Sequence, residues 1–154
     1  VLKKIDARKL LTEQKMLLDP NSQVSMDVYL PEGDAPVYIS ADAGLMRQVI
    51  TNLTKNSVEN MQDNNIPAPK ITLSLQFIDE GVEIVVRDNG SGFPVEDANM
   101  FLEPYVTTRD KGTGLGLAIV QKIISDHFGE IRLDNHPEVG AVVTLSMPLA
   151  GGND

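Results

Sequence analysis

The sequence predicts an α/β (α+β) protein built in two layers, a mixed, mostly antiparallel sheet covered on one face by three helices. Three observations predict it. The chain has 154 residues, which sets the default at one domain. Its hydrophobic fraction of 42% is enough for one sizeable core. Its apolar periodicities follow the order α-β-β-α-β-β-α-β-β, which favours one layer of helices on a mostly antiparallel sheet.

Each element has a local reason. Ile5 to Leu18 reads as an amphipathic helix, with Ile5, Leu10, Leu11, Leu17 and Leu18 apolar, stopped by the turn cluster Asp19-Pro20-Asn21-Ser22. Val24 to Leu30 alternates with the period of a half-buried strand, and a short strand around Val37 to Ile39 follows a loop rich in Pro, Gly and Asp. Asp42 is a helix cap for a long helix over Ala43 to Asp63. The apolar stripe of that helix is Leu45, Met46, Val49, Ile50, Leu53 and Met61. Lys70 to Phe77 and Val82 to Asp88 form a hairpin around Asp79-Glu80-Gly81. After a glycine-rich loop and an aperiodic stretch from Leu102 to Thr113, Gly114 to Phe128 is helical and closes at Gly129, the usual C-terminal glycine. Glu130 to Asn135 and Val142 to Met147 are the last two strands, and residues 150–154 are expected to be a disordered tail.

Composition narrows the function. Asp and Glu number 22 against 13 Lys and Arg, for a formal charge of −9, which argues against nucleic acid or an anionic membrane as main partner. Cysteine is absent, which removes disulfides, thiolate metal sites and a thiol nucleophile. Two histidines, His127 and His136, are too few for most multi-histidine metal centres. No apolar run approaches a membrane span and no signal-peptide pattern opens the chain. These features lead to the expectation of a soluble domain, whole or cut from a larger protein.

Three segments carry chemistry. Gly112-Thr113-Gly114-Leu115-Gly116-Leu117 stands directly before a helix, so its backbone N–H groups and the positive helix end converge on one point suited to phosphate. No Lys-Ser or Lys-Thr follows, which excludes a P-loop, and a Rossmann turn would need glycine at Leu117. Taken alone, the segment also fits a flexible hinge. Asp88-Asn89-Gly90-Ser91-Gly92 ends a strand, where a carboxylate can accept from an exocyclic amino group and glycines let a flat ring approach. In isolation it is equally an Asp-Asn-Gly turn. Asn52 and Asn56, four residues apart on one helix face, offer the neutral amide oxygens that suit magnesium carrying phosphate, or simply a solvated helix edge.

In their order along the chain these segments resemble the boxes of sensor histidine kinases. Asn52-Leu-Thr-Lys-Asn56 is similar to the N box, Asp88 to Gly92 to the first glycine box, and Phe101 to Arg109 to the F box. Gly112 to Leu117 resembles the second glycine box, and Gly140 to Pro148 the closing strand. The match runs from about Ser22 to Pro148, and the N and F boxes look most like nitrogen-regulation-type kinases. The wider superfamily includes gyrase-type ATPases, large heat-shock chaperones and anti-sigma-factor kinases.

The resemblance implies a Bergerat-type ATP-binding fold over residues 20–149, with residues 1–19 as the linker and first helix after a dimerisation domain. It implies ATP and Mg2+ as cofactors. Asp88 would bind the adenine amino group, with Gly90 and Gly92 beneath the ring, and Thr144 would reach the adenine edge through a water. Asn56, assisted by Asn52, would ligate the metal. Gly112, Gly114, Leu115 and Gly116 would present donors to the phosphates. Leu102 to Thr113, with Thr107, Thr108 and Thr113, would form a lid whose Arg109 or Lys111 meets the terminal phosphates. Many such kinases carry a basic residue three positions after the second asparagine. Here that position is Glu59, so Lys55 is expected to contact phosphate instead. Ser57 replaces a common alanine without expected effect.

Hydrolysing members of the superfamily place a glutamate base at the position of Asn52. An amide cannot take a proton, so the phosphoryl group is expected to pass to another nucleophile, a histidine on a separate dimerisation domain, and from there to a response regulator receiver domain. Neither His127 nor His136 is followed by an acidic residue, so the acceptor is expected outside this chain. The resemblance implies a monomeric fragment of a homodimeric parent, a cytoplasmic domain of a bacterial sensor that is either membrane-anchored or free. The alternatives are a free-standing anti-sigma-type serine kinase and a sensing module that binds ATP without transfer.

Overall fold

In the computed structural model, residues 2–93, 116–138 and 140–150 are described. The long central helix forms as its sequence dictates. α2 (Ala43–Asp63) starts where the Asp42 carboxylate accepts the Leu45 N–H at 3.0 Å, satisfying one of the orphan donors of the first turn. Its stripe of Met46, Val49, Ile50, Leu53 and Met61 is buried, whereas Leu45, expected on that stripe, is largely exposed.

The sheet beneath it is assembled from β2 (Ser25–Tyr29), β4 (Lys70–Ile78), β5 (Gly81–Asp88), β6 (Glu130–Asn135) and β7 (Ala141–Pro148). Their spatial order is β2-β4-β5-β7-β6. Among the described strands only β2 and β4 run parallel, with α2 lying in the connection between them, and the other pairs are antiparallel. Ile71, Leu73, Val82, Ile84, Val86, Val143, Leu145 and Met147 bury one face against the helices, which is the two-layer arrangement expected. α3 (Gly116–Asp126) buries Val120, Ile123 and Ile124. Its end differs from expectation by one residue. Phe128 takes the left-handed conformation at φ 63°, and the Phe128 and Gly129 N–H groups close back on Ser125 and Ile124. This is a Schellman closure with Gly129 one place further out. Gly129 is needed for a different reason, because a Cβ there would strike the Ser146 carbonyl and the Met147 sulfur.

The amino-terminal segment departs most from expectation. Lys3–Asp6 is a strand, β1, paired antiparallel with β3 (Tyr38–Ala41), and only from Ala7 does the chain turn helical, as α1 (Ala7–Leu17). Ile5 therefore lies in a ladder opposite Ile39, not on a helix. One oxygen of Asp6 accepts from both Arg8 N at 3.0 Å and Val37 N at 3.1 Å, and the Arg8 guanidinium reaches the carbonyls of Pro31 and Ala35. Ala7, Leu10 and Leu11 belong to the core. The segment 1–19, expected as a linker and first helix, holds the strand β1 and the helix α1.

Candidate functional site

The site is organised around the carboxyl end of β5. Asp88 pairs with Ile71 and shares the core face of the sheet, almost fully buried. Its Oδ1 accepts two backbone N–H groups, from Gly90 at 2.9 Å and from Ala141 at 3.1 Å. Its Oδ2 has no hydrogen-bond partner among the described residues. No buried side-chain polar atom there lacks a partner, so this oxygen is open to a donor from outside. Asn89 is pinned to the start of β4, accepting from Lys70 N at 2.8 Å and donating to the Ala68 carbonyl at 3.0 Å. The Asp-Asn-Gly turn is therefore held from three sides.

The glycines of this loop are required by neighbours that sequence reasoning missed. A Cβ at Gly90 would lie 2.7 Å from Asn60 Oδ1 and 3.2 Å from Asp88 Oδ1. Gly92 takes φ 78°, and a Cβ there would lie 2.7 Å from Asn135 Oδ1. Asn135 in turn clamps Phe93 at both backbone groups, accepting its N–H at 2.6 Å and donating to its carbonyl at 2.9 Å. Asn60 was legible as the next step of the Asn52, Asn56 row. Asn135 had no sequence signal.

α2 supplies the second wall. Asn52, Asn56 and Asn60 recur every four residues, each turned about 40° and raised about 6 Å from the last. Asn56 faces the first residue of α3, its Nδ2 3.8 Å from where a Gly116 Cβ would stand. The row thus runs from the amino end of α3, where backbone N–H groups favour anions, to the Asp88 loop. Lys55 lies on the flank of this row, with its side chain 71% exposed and its Nζ 4.0 Å from Glu59.

Thr144 is not brought to the other residues. It pairs with Val85 and Arg132, and strand alternation puts it on the opposite face of the sheet from Asp88. The β7 group that does reach Asp88 is the Ala141 N–H. Thr107, Thr108, Arg109, Lys111, Gly112, Thr113, Gly114 and Leu115 lie outside the described residues. His127 is buried, its Nδ1 2.7 Å from the Ile123 carbonyl and its Nε2 accepting from Asp42 N. His136 Nδ1 accepts the Glu138 N–H at 3.1 Å.

A family model described as histidine kinase-, DNA gyrase B- and HSP90-like ATPase matches residues 41–151. The chain is 34% identical over 147 residues to sporulation kinase A of Bacillus subtilis, covering 94% of this chain and 23% of that protein. It is 43% identical over 116 residues to the nitrogen regulation protein NtrY of Azorhizobium caulinodans, covering 71% of this chain and 15% of that one. Full-length ShkA in complex with AMPPNP superposes with a TM-score of 0.81 at 28% identity, over 98% of this chain and 32% of that one. The chain spans less than a quarter of the length of these two curated relatives.

Proposed function

The chain belongs to the histidine kinase-, DNA gyrase B- and HSP90-like ATPase family, and on that premise we propose that it is the Mg-ATP-binding catalytic domain of a sensor histidine kinase. In this reading it donates the γ-phosphoryl of ATP to a histidine on a separate dimerisation domain. In the same reading the parent protein is a homodimer with this domain in the cytoplasm, and its phosphoryl group moves on to a response regulator. The observation that carries the reading is Asp88, whose Oδ1 is saturated by two N–H donors while Oδ2 stays open.

An acceptor fixed in that way selects a base with an exocyclic amino donor, because a carbonyl in its place would meet a carboxylate lone pair. Asn56, facing Gly116 across the gap between α2 and α3, supports a site for phosphate and magnesium at that end, with Asn52 one turn away. When bound there, the metal would neutralise phosphate charge. The described residues fit such a group, since amide oxygens add no charge of their own to a chain already at −9. The asparagine at position 52 cannot deprotonate water, so positioning rather than base catalysis would supply most of the rate. Lys55 is exposed enough to swing toward a phosphate, and Arg109 or Lys111 would approach from the lid.

Mixing the chain with radiolabelled ATP and a separately made histidine-bearing helical dimer tests the proposal. Label on the dimer supports a kinase, and binding without transfer favours a sensing module. Label on a serine of another protein would instead favour the anti-sigma type. Failure to bind ATP in the presence of magnesium would sink all three.

A further inference from the structure

We propose that Asn60 is a second reader of the purine, donating from Nδ2 to ring atom N7 while Asp88 Oδ2 accepts from the neighbouring amino group. This rests on the ATP-binding reading above and deepens it. Asn60 and Asp88 crowd the same point, since the missing Cβ of Gly90 would sit 2.7 Å from one side-chain oxygen and 3.2 Å from the other. The Asn60 amide is oriented by Ser91, whose hydroxyl donates to Oδ1 at 3.4 Å. That leaves the Nδ2 hydrogens without a partner among the described residues. Nδ2 of Asn60 and Oδ2 of Asp88 are the second polar atoms of these two side-chain ends, so a donor and an acceptor flank the Gly90 turn. Adenine presents the complementary pair on its N6/N7 edge, which a single asparagine or glutamine reads elsewhere.

The choice of N7 follows from the direction of the asparagine row. Asn56 stands at the amino end of α3 and Asn60 one turn further along α2, beside the base loop. Of the two ring nitrogens flanking the amino-bearing carbon, N7 is the one nearer the sugar and phosphates. A group on α2 therefore meets N7 before N1.

The test is equilibrium binding of ADP and 7-deaza-ADP, with magnesium, to the full chain and to its Asn60→Ala variant. Alanine is the best helix former and the site is on the surface of α2, so the variant folds. Thermal unfolding checks this. The expected result is that Asn60→Ala weakens ADP binding about fivefold while the two proteins bind 7-deaza-ADP equally. Equal affinity of both proteins for ADP would overturn the assignment. So would an equal loss for both nucleotides, which would make Asn60 only a wedge under the Gly90 loop. Failure of the unaltered chain to bind ADP is a separate outcome, and it removes the ATP-binding reading together with this one.

Discussion

His127 Nε2 accepts a hydrogen bond from the backbone N–H of Asp42 at 3.0 Å, across 85 residues of chain. The same imidazole donates from Nδ1 to the Ile123 carbonyl at 2.7 Å, so the two bonds together fix the orientation of the ring. It ties the carboxyl end of α3 to the cap of α2. His127→Ala should leave the part-buried Asp42 N–H without its acceptor and a cavity where the imidazole stood, and cost about 2–3 kcal/mol, several degrees in Tm. With both nitrogens occupied, the ring is also a poor nucleophile. Incubation with labelled ATP should leave His127 unmodified, and label found there by mass spectrometry would contradict its structural role.

Asp88→Asn separates the two oxygens of that carboxylate. The amide oxygen can still accept from Gly90 and Ala141, so Tm should change little. The other arm becomes a donor and faces the adenine amino group with like polarity. ATP affinity should fall about 10- to 100-fold, and ITP, whose base presents a carbonyl there, should lose far less. A parallel loss for both nucleotides would show that Asp88 acts through the fold alone.

Leu11 is fully buried and Met16, on the same helix, is 86% exposed. Leu11→Ala should therefore cost about 2–5 kcal/mol, while Met16→Ala leaves the urea midpoint unchanged. Equal effects would mean that α1 does not pack in the core.

The Leu45 N–H donated to Asp42 holds its carboxyl below the ordinary carboxylate range. A depressed folded value contributes stability above the unfolded value, and that contribution is lost as pH falls through the folded one. Asp42→Asn keeps a capping acceptor without a titrating group. Between about pH 5 and pH 3, the unaltered chain should lose more Tm than this variant, and parallel acid limbs would refute the coupling.

Lys55→Glu tests the cation of α2. Its exposure and its 4.0 Å contact with Glu59 mean that salt will screen it. Nucleotide affinity should drop several-fold at low ionic strength and the difference should shrink toward 1 M salt. Unchanged affinity at low salt would remove Lys55 from the phosphate site.

Much of this architecture was legible wherever one local rule decided it. Asp42 and its apolar stripe placed the start and the buried face of α2, and Glu130–Asn135 followed from its flanking turns. β1 was missed because Lys3–Asp6 has no period of its own, and its partner β3 lies more than thirty residues away. Ile5 fell by chance on the helical stripe of α1. Thr144 was assigned by its motif position, but strand alternation decides which face it takes. Asn135 acts only where the fold brings the remote Phe93 backbone beside it, which no single-residue signal encodes.

The β1–β3 ladder has a mechanical consequence. Four residue pairs join the amino end to β3, Arg8 holds the loop before it at Pro31 and Ala35, and β3 passes into the cap of α2 at Asp42 with no intervening loop. The ladder is antiparallel with Lys3 opposite Ala41, so the amino end and the start of α2 leave it side by side, and tension at the amino end would reach α2 through the first pair. From there the displacement would pass to a stiff rod about 31 Å long that carries Asn52, Asn56 and Asn60. A tug at the amino end would thus move the three asparagines together, as teeth on one rack.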